Sequence, residues 1–352
     1  MSAPRLAGTV SAAIALAALA AGPASAATKT VYAGPNARLS PKDLVINDFF
    51  RRAVTIRQGD SVRYVFRGFH NVVLPRRGQR PGALIEPDPS APYTGVVDAA
   101  GQPFWFNGQP RLQIGATTIV PQGGRTHDGT RLTSSGIALG EPRPYTVRFP
   151  RRGSFTYYCT VHAGMKGTVR VLRRGARIPT VAQDRRAAAA ALARHQATAR
   201  RLARPEVPAR TISGGSDRGA VNYLRFFPRR LTVDAGQTVR FTVPSKQEPH
   251  TLSVGPKAFL DDLGENAFVP PPGSQPPPLV ADGRAFLPSD PPPGALPDFD
   301  GANHGNGFIS TGVLGGGAVE QTSSAIRFTR AGTYDFICLI HPEEMKGQIT
   351  VR

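Results

Sequence analysis

Two stretches constrain this chain more than anything else in it. GSFTYYCTVHAGMKGTVRV runs from Gly153 to Val171, and GTYDFICLIHPEEMKGQITV runs from Gly332 to Val351. The second repeats the first with one inserted residue. The first sets Cys159, His162 and Met165 at spacing C-x-x-H-x-x-M, and the second sets Cys338, His341 and Met345. A thiolate, an imidazole and a thioether on one short loop suit a soft metal ion. A fourth ligand must come from elsewhere. His70 in GFHNVVLP and His250 in EPHTLSV are the candidates, 89 and 88 residues before their cysteines. A lone histidine near a strand end is ordinarily a satisfied core or surface residue. The matched intervals argue against that reading here.

The rest of the chain follows the same duplication. The segment FFRRAVTIRQGDSVRYVF, Phe49 to Phe66, aligns without gaps to FFPRRLTVDAGQTVRFTV, Phe226 to Val243. The period of about 180 residues is a domain duplication, too long for a solenoid unit. Short alternating strands closed by Gly and Pro turns predict an all-β sandwich in each copy. The chain has two cysteines, and each heads its own copy of the motif. They are therefore expected to be unpaired. Of three methionines, Met1 is the initiator and the other two sit in the motifs.

This duplicated His, Cys, His, Met set resembles the cupredoxins, the plastocyanin, azurin and amicyanin family of blue copper proteins. The first loop has the amicyanin-like His-to-Met spacing. The second has the azurin-like one, with a shorter Cys-to-His gap than azurins have. The resemblance covers most of the chain after its N-terminal segment. It implies two Greek-key β-sandwich domains, with the ligand loop between the last two strands of each. It implies one copper per domain, held by His70, Cys159, His162 and Met165 and by His250, Cys338, His341 and Met345. It implies one-electron transfer through partly exposed edges of His162 and His341. At the second site Glu343 and Glu344 offer a carboxylate that could replace the Met345 thioether. Two rivals share the ligand set. One is a copper carrier or buffer. The other is a copper-dependent oxidoreductase, which needs a type 2 or trinuclear centre, usually built from H-x-H pairs and a histidine beside the cysteine. No H-x-H occurs, Cys159 is flanked by Tyr158 and Thr160, and Cys338 by Ile337 and Leu339. An electron carrier rather than a catalyst is the expectation.

Four segments emerge. Residues 1–27 read as a secretory signal peptide: Arg5, an Ala-rich apolar run, then PASAA. No later run is long and apolar enough to span a bilayer. The chain is thus expected to be exported, to the periplasm, cell envelope or exterior. Residues 28–172 form the first domain and 211–352 the second. Between them, 173–210 is a basic linker. Thr180 with Gln183 makes a capping box, Pro205 stops the pattern, and the Ala and Arg content favours helix. An exposed helical spacer that buries little is expected there, with His195 solvated.

Charge is uneven. Residues 1–172 carry 21 Lys/Arg and 8 Asp/Glu, a net of +13, whereas residues 211–352 carry 12 and 14, a net of −2. Such asymmetry fits an acidic redox partner, or peripheral contact with an anionic surface. No nucleic-acid motif accompanies it. Each domain carries a long insert, Pro75 to Gly140 and Pro270 to Gly317, rich in Gly and Pro. These are expected as irregular, extended covers. Trp105 lies in the first. His127 and His304 lie in corresponding places, as polar loop residues or as ligands of a further metal.

Overall fold

The computed structural model describes residues 26–137, 141–269, 279–291, 298–317 and 319–352. The segment read as a signal peptide lies almost entirely outside them. Among the described residues no helix is long and apolar enough to cross a membrane.

Alternation of apolar and polar residues builds two β-sandwiches. In the first, one sheet runs in the order Tyr145–Arg148, Ser61–Phe66, Thr28–Ala33, Phe49–Phe50. The facing sheet runs Ala53–Arg57, Lys166–Leu172, Gly153–Tyr158, Val73–Leu74, Thr133–Ser134. Strand Ser61–Phe66 shows the period: Val62, Tyr64 and Phe66 are buried and Arg63 is exposed. Their inward side chains meet Val54, Ile56, Val147, Tyr157 and Val169 in one core, and that core includes Cys159 and Met165.

The second sandwich repeats the plan. Lys346–Val351 pairs antiparallel with Gly332–Ile337 and parallel with Arg230–Val233. In the first half, Lys166–Leu172 does the same with Gly153–Tyr158 and Ala53–Arg57. Gly167 and Gly347 show how closely the plan is kept. A Cβ on Gly167 would stand 2.3 Å from the Tyr157 ring and 2.6 Å from the Arg52 carbonyl oxygen. On Gly347 it would stand 2.3 Å from the Phe336 ring and 2.6 Å from the Arg229 carbonyl oxygen. Neither position has room for a side chain.

The halves also exchange pieces, which the sequence pattern did not anticipate. Strand Leu44–Ile46 leaves the first half and pairs antiparallel with Val221–Phe227, at the edge of the second half's sheet. Asp43 receives the Arg225 guanidinium, with Nη2 at 2.9 Å from Oδ1, and Leu224 N–H donates to the Asp43 carbonyl at 2.8 Å. The inserts are not irregular covers. Ile85–Pro92 and Pro110–Ile114 form a hairpin, which continues through Val280–Ala281 and Phe268–Val269 into one sheet shared by both halves. Phe104 and Phe106 of the first insert pack with Leu260, Phe286 and Phe308 of the second half. Burying each such ring contributes about 1.5–3 kcal/mol. Trp105 donates from Nε1 to the Pro288 carbonyl at 2.8 Å. Residues 270–278 and 292–297, the Pro-rich pieces, fall outside the described residues.

The linker is helical from Val181 to Leu202, and Thr180 and Gln183 close the capping box. It is not a free spacer. Ala188, Ala191 and Leu192 pack against Ile46 and Phe50, and Ala199 and Leu202 against Leu44 and Tyr223. Asp184 pairs with Lys29 at 2.8 Å and with Arg51. His195 is not solvated: Nε2 lies 2.9 Å from Asp48 Oδ2, and the ring meets Phe50 edge-on. Small Ala side chains let this helix lie close on the strands, so a weakly apolar face still buries area.

Candidate metal centres

Each ligand loop is a tight link between the last two strands of its half. Cys159 N–H donates to the Met165 carbonyl at 3.0 Å, and Met165 N–H to the His162 carbonyl at 3.1 Å. Gly164, at φ +78°, supplies the left-handed residue this turn needs. In the second loop Pro342, Glu343 and Glu344 replace Ala163 and Gly164. Cys338 N–H donates to the Met345 carbonyl at 2.9 Å, and Met345 N–H to the His341 carbonyl at 3.0 Å. The inserted residue is absorbed as a wider turn, and the Cys-to-Met clasp is unchanged.

Three donor atoms converge in each half. Cys159 Sγ lies 3.8 Å from His70 Nδ1 and 3.6 Å from His162 Nδ1, and the two Nδ1 atoms are 3.1 Å apart. Cys338 Sγ lies 3.7 Å from both His250 Nδ1 and His341 Nδ1. Both triads are grouped tightly enough to hold a metal ion. An ion at the middle of such a triangle would sit about 2 Å from each corner, the range of metal–imidazole and metal–thiolate bonds. Met165 and Met345 are buried in the same cores as their cysteines. Glu343 and Glu344 are exposed. Both cysteines are free and buried, as the duplicated motif predicts.

Electrostatics prepare the thiols. Burial pushes each of them up, but hydrogen bonds from the paired histidines outweigh it, and both thiols lie well below their ordinary range. A thiolate is the form that binds metal.

Further groups hold the loops in place. Asn71 follows His70. Its Oδ1 accepts Thr160 N–H at 2.9 Å, its Nδ2 donates to Thr160 Oγ1 at 2.8 Å, and Thr160 Oγ1 meets Thr118 Oγ1 at 2.8 Å. In the second half Thr251 follows His250. Its Oγ1 accepts Leu339 N–H at 2.8 Å, and its own N–H lies 3.4 Å from Cys338 Sγ. In each half, then, the residue after the first histidine ties the residue after the cysteine.

The outer edge of His162 is where the sequence reading fails; His341 keeps a partly exposed one. The resemblance implied partly exposed edges. His162 is 6% exposed, and the His341 side chain 16%. Their Nε2 atoms point at one carboxylate: His162 Nε2 lies 3.4 Å from Glu248 Oε1, and His341 Nε2 lies 3.4 Å from Glu248 Oε2. Asn47 Nδ2 donates to the same Oε1, and Glu248 N–H is fixed on Ser245 Oγ at 2.9 Å. Burial pushes Glu248 up, yet the hydrogen bond from His341 and the facing imidazoles hold it down at about 2. His341 is pushed down by burial but carried up to about 10 by Cys338 and Glu248. The two halves meet beside the sites: a Cβ on Gly317 would stand 3.2 Å from the Ala163 Cβ of the first loop, tighter than ordinary contact. Glu248 opens the EPHTLSV segment. Its only sequence signal is that it occupies the place of Gly68, two residues before the histidine.

The other histidines are not ligands in these triads. His127 lies in a loop, as expected, but is buried beside Phe149 and Phe155 with Nδ1 3.2 Å from Thr133 Oγ1. His304 stacks on Phe104 and faces Asp98 at 3.3 Å and Asp290 at 3.7 Å.

No protein-family model and no curated protein matches the chain. Solved structures similar to it include the Cu(I) form of an amicyanin point mutant: 16% identity over 43% of this chain and 89% of that one, TM-score 0.23. Auracyanin A, a blue copper protein from Chloroflexus aurantiacus, is 21% identical over 40% and 96%, TM-score 0.21. A fern plastocyanin mutant is 21% identical over 40% and 99%, TM-score 0.20.

Proposed function

We propose that this is an exported protein with two type 1 copper sites, one in each of two cupredoxin-like halves, and that it carries single electrons. The observation that carries the reading is the pair of buried Cys–His–His triangles, repeated with the same donor atoms. His70, Cys159 and His162 would hold one copper and His250, Cys338 and His341 the other, with the thioethers of Met165 and Met345 as weaker ligands. Copper so held supplies a one-electron couple.

The residues contribute rigidity. Asn71 and Thr251 lock each cysteine loop to its histidine strand. Glu248 faces both Nε2 atoms at 3.4 Å and would hold the Nε2–H of each imidazole once a metal takes the place of the proton on Nδ1, the donor atom of each triangle. Fixed ligands change little between oxidation states, which lowers the barrier to transfer. Burial of both triangles favours electron transfer over copper delivery, since a delivered ion needs an approach for the receiving ligand. The redox partner is proposed to be acidic, docking on the basic first half.

The test is reconstitution with copper. Purified protein is expected to bind about two coppers and show an intense thiolate-to-copper band. Persistence of that band in a Cys159→Ser, Cys338→Ser double variant would overturn the reading.

A further inference from the structure

Glu248 has a place that ligand holding does not explain. One carboxylate joins the outer edges of both candidate centres, with a different oxygen facing each imidazole. It is 5% exposed, so water does not compete for it. It is clamped from both halves: Asn47 comes from the first, and Ser245 from the second. From Cys159 to Cys338 the chain of contacts is unbroken, running through His162, Glu248 and His341. The corresponding residue of the first half is Gly68, which has no side chain to offer. One bridge therefore serves two sites.

We infer that Glu248 makes the two sites a single internally connected unit, and that an electron passes between them across His162–Glu248–His341 without leaving the molecule. This rests on the two-copper reading. One site is oxidised by one electron as the other is reduced. Both protons stay on their Nε2 atoms, and no atom is transferred. The imidazole edges are consumed by this internal contact, so an external partner exchanges electrons elsewhere on the surface.

Three forms of the full chain decide it: the native protein, Glu248→Gln and Glu248→Leu. Glutamine keeps the shape, but its single carbonyl accepts from only one imidazole. In metal-free protein, NMR is expected to show the Nε2–H protons of both His162 and His341 protected from exchange. One should lose protection in Glu248→Gln and both in Glu248→Leu. In copper-loaded protein, a photochemically injected electron is expected to redistribute between the sites at a rate independent of protein concentration. That rate should fall at least about tenfold in Glu248→Leu, equivalent to about 1.4 kcal/mol on the barrier, with Glu248→Gln between. Equal rates in all three forms, with both thiolate bands intact, overturn the bridge and leave the copper reading standing. Unprotected imidazole protons in the native metal-free protein also overturn it. Loss of the thiolate bands in the native protein defeats the copper reading instead, and the exchange experiment then judges the bridge alone. If Glu248→Leu does not fold, Glu248→Gln carries both measurements.

Discussion

The two centres share one triangle of donors and differ in what surrounds it. Around the first, Asn71 makes two hydrogen bonds to Thr160, and Gly164 turns a short loop. Around the second, Thr251 supplies one acceptor and a bond toward Cys338, within a hydroxyl series through Ser253 and Ser310. Its loop is one residue longer and carries two exposed carboxylates. The largest difference lies one step further out: Glu248 belongs to the second half but serves both. The two halves thus keep the same triangle of donors and differ in the groups that hold it.

The comparison breaks most visibly at the cysteines. Cys159→Ser and Cys338→Ser should each lower bound copper from about two to about one and leave the other site's band, because a site without its thiolate loses its strongest soft ligand. Loss of both bands from either single variant would mean that the sites are not separate.

The paired insert histidines should respond to pH in opposite senses. Burial holds His127 down at about 4, against an ordinary 6.5. It is neutral in the folded protein, and protonation favours the unfolded chain. Its contribution is full above pH 6.5 and falls by roughly 3 kcal/mol as the pH drops to about 4. His304 is raised by its hydrogen bond to Asp290, against burial, with Asp98 adding to the effect. Its contribution is full below 6.5 and is lost as the pH rises through its folded value. Urea unfolding from pH 4 to 8 should therefore show a shallower acid loss in His127→Phe, and a smaller loss on the alkaline side in His304→Gln. Unchanged pH profiles would remove the contrast.

The clasps should differ by a smaller amount. Asn71→Ala leaves Thr160 N–H without its acceptor and loses the bonds to Thr160 Oγ1 and the Thr118 carbonyl, at a cost of about 1–3 kcal/mol. Thr251→Ala removes the acceptor of Leu339 N–H and of Ser253 Oγ, one bond fewer, and should cost the lower end of that range. Chemical unfolding of the metal-free variants measures both. A Thr251→Ala cost equal to that of Asn71→Ala would show that the extra bond adds nothing.

The smallest effect concerns potential. With copper bound, the charges of Glu343 and Glu344 would favour the more oxidised metal at the second site, and the basic first half would favour the reduced form at the first. Redox titration of the two single-site variants should place the second site lower. Because Glu343 and Glu344 are exposed, salt screens them, and Glu248 acts on both sites. Agreement within roughly 30 mV, about 0.7 kcal/mol for one electron, would make the two centres equivalent.

What the sequence determined by itself is local or repeated. The all-β character follows from alternation. The triads of His70, Cys159 and His162 and of His250, Cys338 and His341 follow from two copies at matched intervals, which chance seldom gives. The helix follows from Thr180, Gln183 and an Ala-rich run. What only tertiary structure decided is how the two halves meet. Leu44–Ile46 joins the other half's sheet, and Phe104 and Phe106 fill the other half's core. His195 finds Asp48. Edge pairing and apolar contact carry no sequence address, since any strand edge or ring can take several partners. Glu248 is the sharpest case. A lone glutamate reads as a solvated surface charge, and only the meeting of the two halves sets it between His162 and His341, held by Asn47 and Ser245, where burial makes its two contacts count.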